Sequence, residues 1–200
     1  VITHAAMRIA DAEGLDAVSI RRVAAELGAR PMSLYTHIAS KEDLLASMTE
    51  EGTREMLVQQ PLPEDWREAI ATIARRMYGV FVAHPWFAFI HIRHPAFGPN
   101  ATRLAKQMAR AVASLSLEPA EIWALQGTVN DYVIGHSFRA IAPVRAHADT
   151  ISQSDVVEFP ELDSLRDSLR NRASVERFEF GLQVVLDGVE RRVLGNGGPG

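Results

Sequence analysis

The sequence contains no cysteine, which excludes disulfides, thiolate metal sites and cysteine nucleophiles. It has no run approaching the roughly 18 to 20 apolar residues that span a bilayer. No signal-like segment opens it, so a cytoplasmic location without a membrane partner is expected. Positive charge is not in excess: 21 basic against 25 acidic residues give a formal net charge of −4. A protein that coats nucleic acid non-specifically is basic, so any DNA binding here must come from a local basic face on an acidic body. Gly-rich phosphate loops, Gly-x-Ser-x-Gly elbows and His-Glu-x-x-His pairs are all missing, and Glu118 and Glu121 fall on a solvated helix face. An enzyme, a metal and a cofactor are therefore not expected. No stretch alternates with period two over a useful length, and no segment repeats, so the expected fold is all-α.

Against those absences, Ser19 to Leu45 is dense in signals. Ser19 is suited to cap a helix, and Ile20, Val23, Ala24 and Leu27 make one apolar stripe at i, i+3, i+4 and i+7. Gly28 suits the left-handed C′ position that ends such a helix, and Pro31 suits the first turn of the next. In that second helix Leu34 and Ile38 face inward. Pro31, Met32, Ser33, Tyr35, Thr36 and His37 are left facing outward. Ser40 then caps a longer helix whose Glu42 and Asp43 suit a positive helix end. Four basic residues (Arg21, Arg22, Arg30, Lys41) against Glu26 make the window from Ser19 to Lys41 net +3 (4 − 1). Two short helices, a Gly turn and an apolar-aromatic outer face form the pattern of a DNA-reading helix-turn-helix. The plainer alternative is a three-helix cap with an Arg-rich surface.

Ile2-Thr3-His4-Ala5-Ala6, Ala12-Glu13-Gly14, Ser19 to Ala24, Leu27-Gly28, Ser33 to Ile38 and Ser40 to Leu44 follow one another without gaps. In that order they resemble the DNA-binding domain of the tetracycline-repressor (TetR) family, and Leu-Tyr-x-His before Ser-Lys-Glu-x-Leu is the specific part. The resemblance implies that Arg21, Arg30, Pro31, Met32, Ser33 and Tyr35 face base edges. It implies that Tyr35, Thr36, His37 and Lys41 hold phosphates; for His37 a structural hydrogen bond is the equal alternative. Arginine suits guanine O6 and N7, and Pro or Met suits a thymine methyl. His84-Pro85, Gly98-Pro99, Val133-Ile134-Gly135 and the Phe178 to Gly188 segment resemble, more loosely, the ligand-binding body of the tetracycline repressor itself.

In chain order, a first helix covers Ile2 to Glu13 and stops at Gly14. The helix from Lys41 reaches Gln60-Pro61, and the resemblance makes it the link between reading head and body. Further helices start near Glu64, near Leu104 and at Ala120 to Ala142, with His84-Pro85 as a break and Phe97 to Asn100 as a turn. Val144 to Pro160 reads as a long loop, Leu162 to Arg170 as a short helix, and Ser174 to Leu194 as the last helix. The organisation expected is a head over 1–46, an effector-binding and dimerisation body over 47–194, and a disordered tail over 195–200.

The Ala120 to Ala142 helix is apolar on two faces and so needs two partners. Leu125, Val129, Val133 and His136, with Phe178, Leu182, Val185 and Val189 of the last helix, are the expected homodimer interface. Trp86, Phe89, Ile90, His91, Met108, Trp123, Gln126 and Asn130 are the expected small-molecule effector pocket, with plain core as the alternative for any one of them. His91, His94 and His136 lack the spacing of a metal site. The reading as a whole is a regulator with a DNA operator, an effector and a second copy as partners. A non-DNA-reading all-α binding protein or enzyme is the alternative.

Overall fold

A computed structural model describes residues 1–93, 98–141 and 174–195. Among these residues all regular structure is helical: α1 (Ile2–Glu13), a 3-10 turn (Leu15–Ala17), α2 (Ile20–Glu26), α3 (Pro31–Leu34), α4 (Lys41–Met56), α5 (Trp66–Ala83), α6 (Pro85–Arg93), α7 (Pro99–Ala111), α8 (Pro119–Ile141) and α9 (Ser174–Gly195). The loop expected over 144–160, the helix expected over 162–170, and residues 196–200 of the tail lie outside the described residues. Packing divides the chain into two compact units, Val1–Gln126 and Gly127–Gly200. The expected boundary at 46/47 falls inside α4.

Local chemistry places the first elements. Gly14 ends α1 with φ at 86°, a left-handed value that costs a Cβ-bearing residue but not glycine. The 3-10 turn that follows tucks Val18 completely out of solvent. Ser19 Oγ accepts from the Arg22 main-chain N–H at 3.1 Å, and Ser40 Oγ accepts from that of Asp43 at 3.1 Å, so both capping expectations hold. Asp65 does the same for α5, accepting from Glu68 N–H at 2.9 Å.

Two boundaries differ from the sequence reading. α4 ends at Met56, not near Gln60, and Leu57 turns extended at ψ 130°. The cause lies far along the chain. The Gln107 amide on α7 accepts from Val58 N–H at 3.2 Å and donates to Val58 C=O at 2.7 Å. That side chain takes both main-chain groups a further helical turn would have used. Second, Pro99 and Asn100 are not turn residues; they open α7, with Gly98 as N-cap. Asn100 N–H donates to Glu50 Oε2 at 3.2 Å and its amide donates to Glu50 C=O at 3.2 Å, fixing that helix start against α4.

In the first unit α4 is the hub, packing against α1, α5, α6 and α7. Ile70, Ile73, Met77, Val80 and Phe81 of α5 are all buried, as their three-or-four spacing requires. Thr49 and Thr53 are buried too, but each hydroxyl donates four residues back along α4, at 2.9 and 2.7 Å, so neither is left unpaired. The α4–α6 crossing depends on Gly52. A Cβ there would lie 2.7 Å from Cζ of Phe87, a ring with no solvent exposure. Gly52→Ala is therefore expected to destabilise by about 1–3 kcal/mol through overpacking. Urea unfolding measures this, and an unchanged midpoint would show that the Phe87 ring swings clear.

Candidate nucleic-acid interface

The outer face of α3 is set by what lies beneath it. Leu34 and Ile38 are 3% and 7% exposed, and this anchors the segment by one edge. Met32 at 75% and Tyr35 at 48% exposed are thereby turned outward, together with Pro31, Ser33, Thr36 and His37. Gly28 makes the turn with φ at 63°, Arg30 is extended, and Pro31 occupies the first turn. The α-helical part closes at Leu34, and Tyr35 to His37 continue as a tighter turn. Ser33 Oγ donates to Arg30 C=O at 2.6 Å and Thr36 Oγ1 to Ser33 C=O at 2.7 Å, three residues back in each case, which favours that tightening. As placed, these two hydroxyls have spent their donor proton. They can accept from a base amine, but donating to a phosphate would cost an internal bond.

The charges sort into two groups. Arg22 is tied down: its guanidinium donates to Glu13 at 2.6 Å and to Glu26 at 3.0 Å, and Arg8 stands 3.7 Å from Glu26. The hydrogen bond from Arg22 holds the Glu13 carboxyl below its usual range, and Glu13, then Glu26, raise Arg22. The local excess of positive charge counted from sequence therefore includes one arginine that is already neutralised. Arg21, Arg30 and Lys41 are exposed and have no acidic partner among the described residues. His37 is exposed, and its ring makes no hydrogen bond among the described residues. It borders a shallow depression of about 580 Å³ with Ile2, Thr3, Ser33 and Ser47, at the start of α1.

 A second depression, of about 510 Å³, lies beside α6.

That second depression bears on the expected effector pocket. It is lined by Asp11, Glu13, Gly14, Leu15 and Asp16 on one side and by Trp86, Phe89 and Arg93 on the other. Trp86 and Phe89 thus border a groove toward α1, and none of the other six expected pocket residues lines it. Trp86 is buried and donates its indole N–H to Asp11 Oδ1 at 2.6 Å, a bond no periodicity could reveal. Ile90 and Met108 are buried, His91, Gln126 and Asn130 are half-buried, and Phe89 is 52% exposed. Trp123 is 77% exposed, so within one chain it is a surface residue and not a pocket wall. The His91 ring is held below its usual pKa range by burial, and its Nδ1 is buried without a hydrogen-bond partner among the described residues. His94 lies outside the described residues, and among those described no group of His, Asp or Glu is placed to hold a metal.

Most of the expected dimer stripe is covered by its own chain. Leu125, Val129, Val133, His136, Phe178 and Leu182 are all buried within the single chain, and Val185 and Val189 are half-buried. In the second unit the stripes of α8 and α9 face each other: His136 and Phe178 ring centroids are 5.6 Å apart, and Tyr132 Oη donates to Phe178 C=O at 2.7 Å. Apolar side chains already covered by their own chain cannot meet a second copy. The apolar residues left outside are Trp123 on α8 and Val175, Phe180 and Val184 on α9.

Comparison with known proteins decides what this architecture is. Residues 2–48 match the family described as bacterial regulatory proteins, tetR family, and residues 60–193 match the tetracyclin repressor-like C-terminal domain. The chain belongs to the TetR family. An HTH-type transcriptional repressor, DrrR1 of Streptomyces coeruleorubidus, is 30% identical over 205 residues, covering 94% of this chain and 76% of that one. Apo ActR from Streptomyces coelicolor superposes with a TM-score of 0.80 at 28% identity, covering 94% of this chain and 91% of the other. ActR in complex with actinorhodin gives 0.79 at 28% identity, covering 99% and 97%. As a TetR-family protein the chain is a DNA-binding transcriptional regulator and not an enzyme. No helix among the described residues is long and apolar enough to cross a membrane.

The charge sorting makes a paired prediction. Arg21→Ala is expected to weaken DNA binding and to lower the slope of log affinity against log salt by about 1, as loss of one phosphate contact does. Arg22→Ala is expected to leave that slope unchanged while lowering the melting temperature. Equal slopes for the two variants would refute the sorting.

Proposed function

We propose that the chain is a dimeric repressor that leaves a palindromic operator when a small molecule binds its body. The observation that carries this is the outward face of α3, where Met32 and Tyr35 stand exposed over buried Leu34 and Ile38, flanked by Arg21, Arg30 and Lys41, which have no acidic partner among the described residues. Residues 1–46 then act as the reading head and 47–194 as the effector and dimerisation body, in the cytoplasm. Base edges fall to Arg21, Arg30, Pro31, Met32, Ser33 and Tyr35, and register falls to Tyr35, Thr36, His37 and Lys41. A two-fold dimer sets two such faces about one DNA turn (~34 Å) or a multiple apart, which is why the operator is palindromic.

The effector reading draws support from ActR, a protein of similar fold whose structure is known in complex with actinorhodin. In this chain, His91 offers a neutral buried ring with an unpaired nitrogen, able to direct a ligand among Ile90 and Met108. For the dimer, we assign the contact to Phe180 and Val184 of α9, in place of the stripe that each chain largely buries for itself. Phe180→Glu is expected to weaken self-association at least about tenfold at little cost to the protomer, because exposed side chains contribute little to folding. Val133→Ala should instead lower stability, by about 0.5–1.5 kcal/mol or more, through the cavity it leaves. Sedimentation and thermal melting separate the two, and a Phe180→Glu chain that still dimerises at parental affinity rules the assignment out.

Selection of bound sequences from a random DNA pool tests the main reading. Enrichment of a palindrome is expected, and Tyr35→Ala is expected to abolish binding to it while dimerisation persists. Recovery of no motif by the parent chain would overturn the reading of the α3 face.

A further inference from the structure

His84 is the single residue between α5 and α6, and its ring reaches the two other helices that meet there. Nδ1 lies 2.7 Å from Oδ1 of Asp11 on α1, and Nε2 lies 3.1 Å from Oε2 of Glu55 in the last turn of α4. The Trp86 indole donates to the same Asp11 oxygen, and the His84 and Trp86 rings sit 5.7 Å apart. A neutral imidazole has one N–H, so its other nitrogen would turn a lone pair toward a carboxylate oxygen. Two carboxylates on opposite ring edges are both satisfied only when both nitrogens donate. The side chain is 16% exposed, so solvent offers little substitute for either bond.

We propose that His84, whose ring bridges Asp11 and Glu55, is the positioning residue that couples the α5–α6 junction to the reading head. This rests on the DNA-reading function proposed above. Asp11 belongs to α1, which packs on α2, and Glu55 belongs to α4, whose opposite end carries Lys41. With the charged ring in place, α1, α4 and the start of α6 are joined at one point, and a shift of α6 reaches the head by two routes. Loss of the ring proton breaks one of the two bonds and leaves a lone pair facing a carboxylate. Other charged groups stand around the site. Arg76 of α5 donates to the Glu55 main-chain oxygen at 2.6 Å, Arg54 of α4 stands near Glu55, and Glu13, Asp16 and Arg93 line the groove beside Asp11.

The experiment follows three signals on the full chain across about pH 5 to 8, the range in which histidines change charge. The 15N shifts of the His84 ring report its proton, amide exchange reports the last turn of α1, and binding to the selected operator reports the head. Protection of α1 and operator affinity are expected to fall together as the ring loses its proton. In His84→Gln both are expected to start lower, with operator affinity down about tenfold at the acid end, a typical size for coupling between sites. The difference between parent and variant removes the background from His37, which lies on the DNA face. Asp11→Asn, a milder change, is expected to lose the same linked response. A ring that titrates while the parent-minus-variant difference in protection and affinity stays constant overturns the proposal. Ring and exchange signals need no DNA, so failure to find an operator is distinguishable from failure of the coupling.

Discussion

The burial of Leu34 and Ile38, four residues apart, is the constraint from which the head's chemistry follows. A segment this short has little helical stability of its own, so its orientation comes from the core it touches. With two adjacent turns anchored by one edge, the opposite edge has no choice but to present Met32 and Tyr35. Gly28 and Pro31 set the approach to that edge, and Ser40 starts the next helix immediately after it. The proposed reading face is thus a by-product of packing. Its exposed residues are free to vary without disturbing the fold beneath them.

Charge is arranged on the same principle. The acidic chain carries its structural ion pairs, Arg22 with Glu13 and Glu26, and Arg54 with Glu51 at 2.9 Å, away from the α3 face. The hydrogen bond from Arg54 holds the Glu51 carboxyl below its usual range, and His4 of α1 adds a contact at 2.9 Å. Those pairs bind α1 to α2 and α4. Arg21, Arg30 and Lys41, without acidic partners among the described residues, are the charges left for the proposed phosphate and base contacts.

What the sequence made legible was local. Gly14, Ser19, Gly28, Pro31 and Ser40 each act within a few residues of themselves, and their effects were readable for that reason. Features that failed to show were made by distant partners. The end of α4 is decided by Gln107, 49 residues beyond Val58, and Trp86 meets Asp11 across 75 residues. Periodicity revealed that α8 carries two apolar faces but could not say which one its own chain would cover. Val133 and Phe178 turned inward, and Trp123 and Phe180 stayed out. Arg22 was miscounted for a similar reason, since Glu13 lies outside the window whose charge was summed.

The Gln107 clamp has a mechanical consequence. It pins the chain just past the C-terminal end of α4, while the other end of that helix leads directly into the head. Sixteen residues of α-helix make a rod of about 24 Å at ~1.5 Å per residue. Turning such a rod by about 5° around a pinned end displaces its far tip by roughly 2 Å, comparable to the small helix shifts that accompany allosteric transitions. The displacement needed near the pivot is only a fraction of an ångström. Geometric amplification of this kind lets a well-packed interior, which tolerates little movement, still carry a signal to the surface.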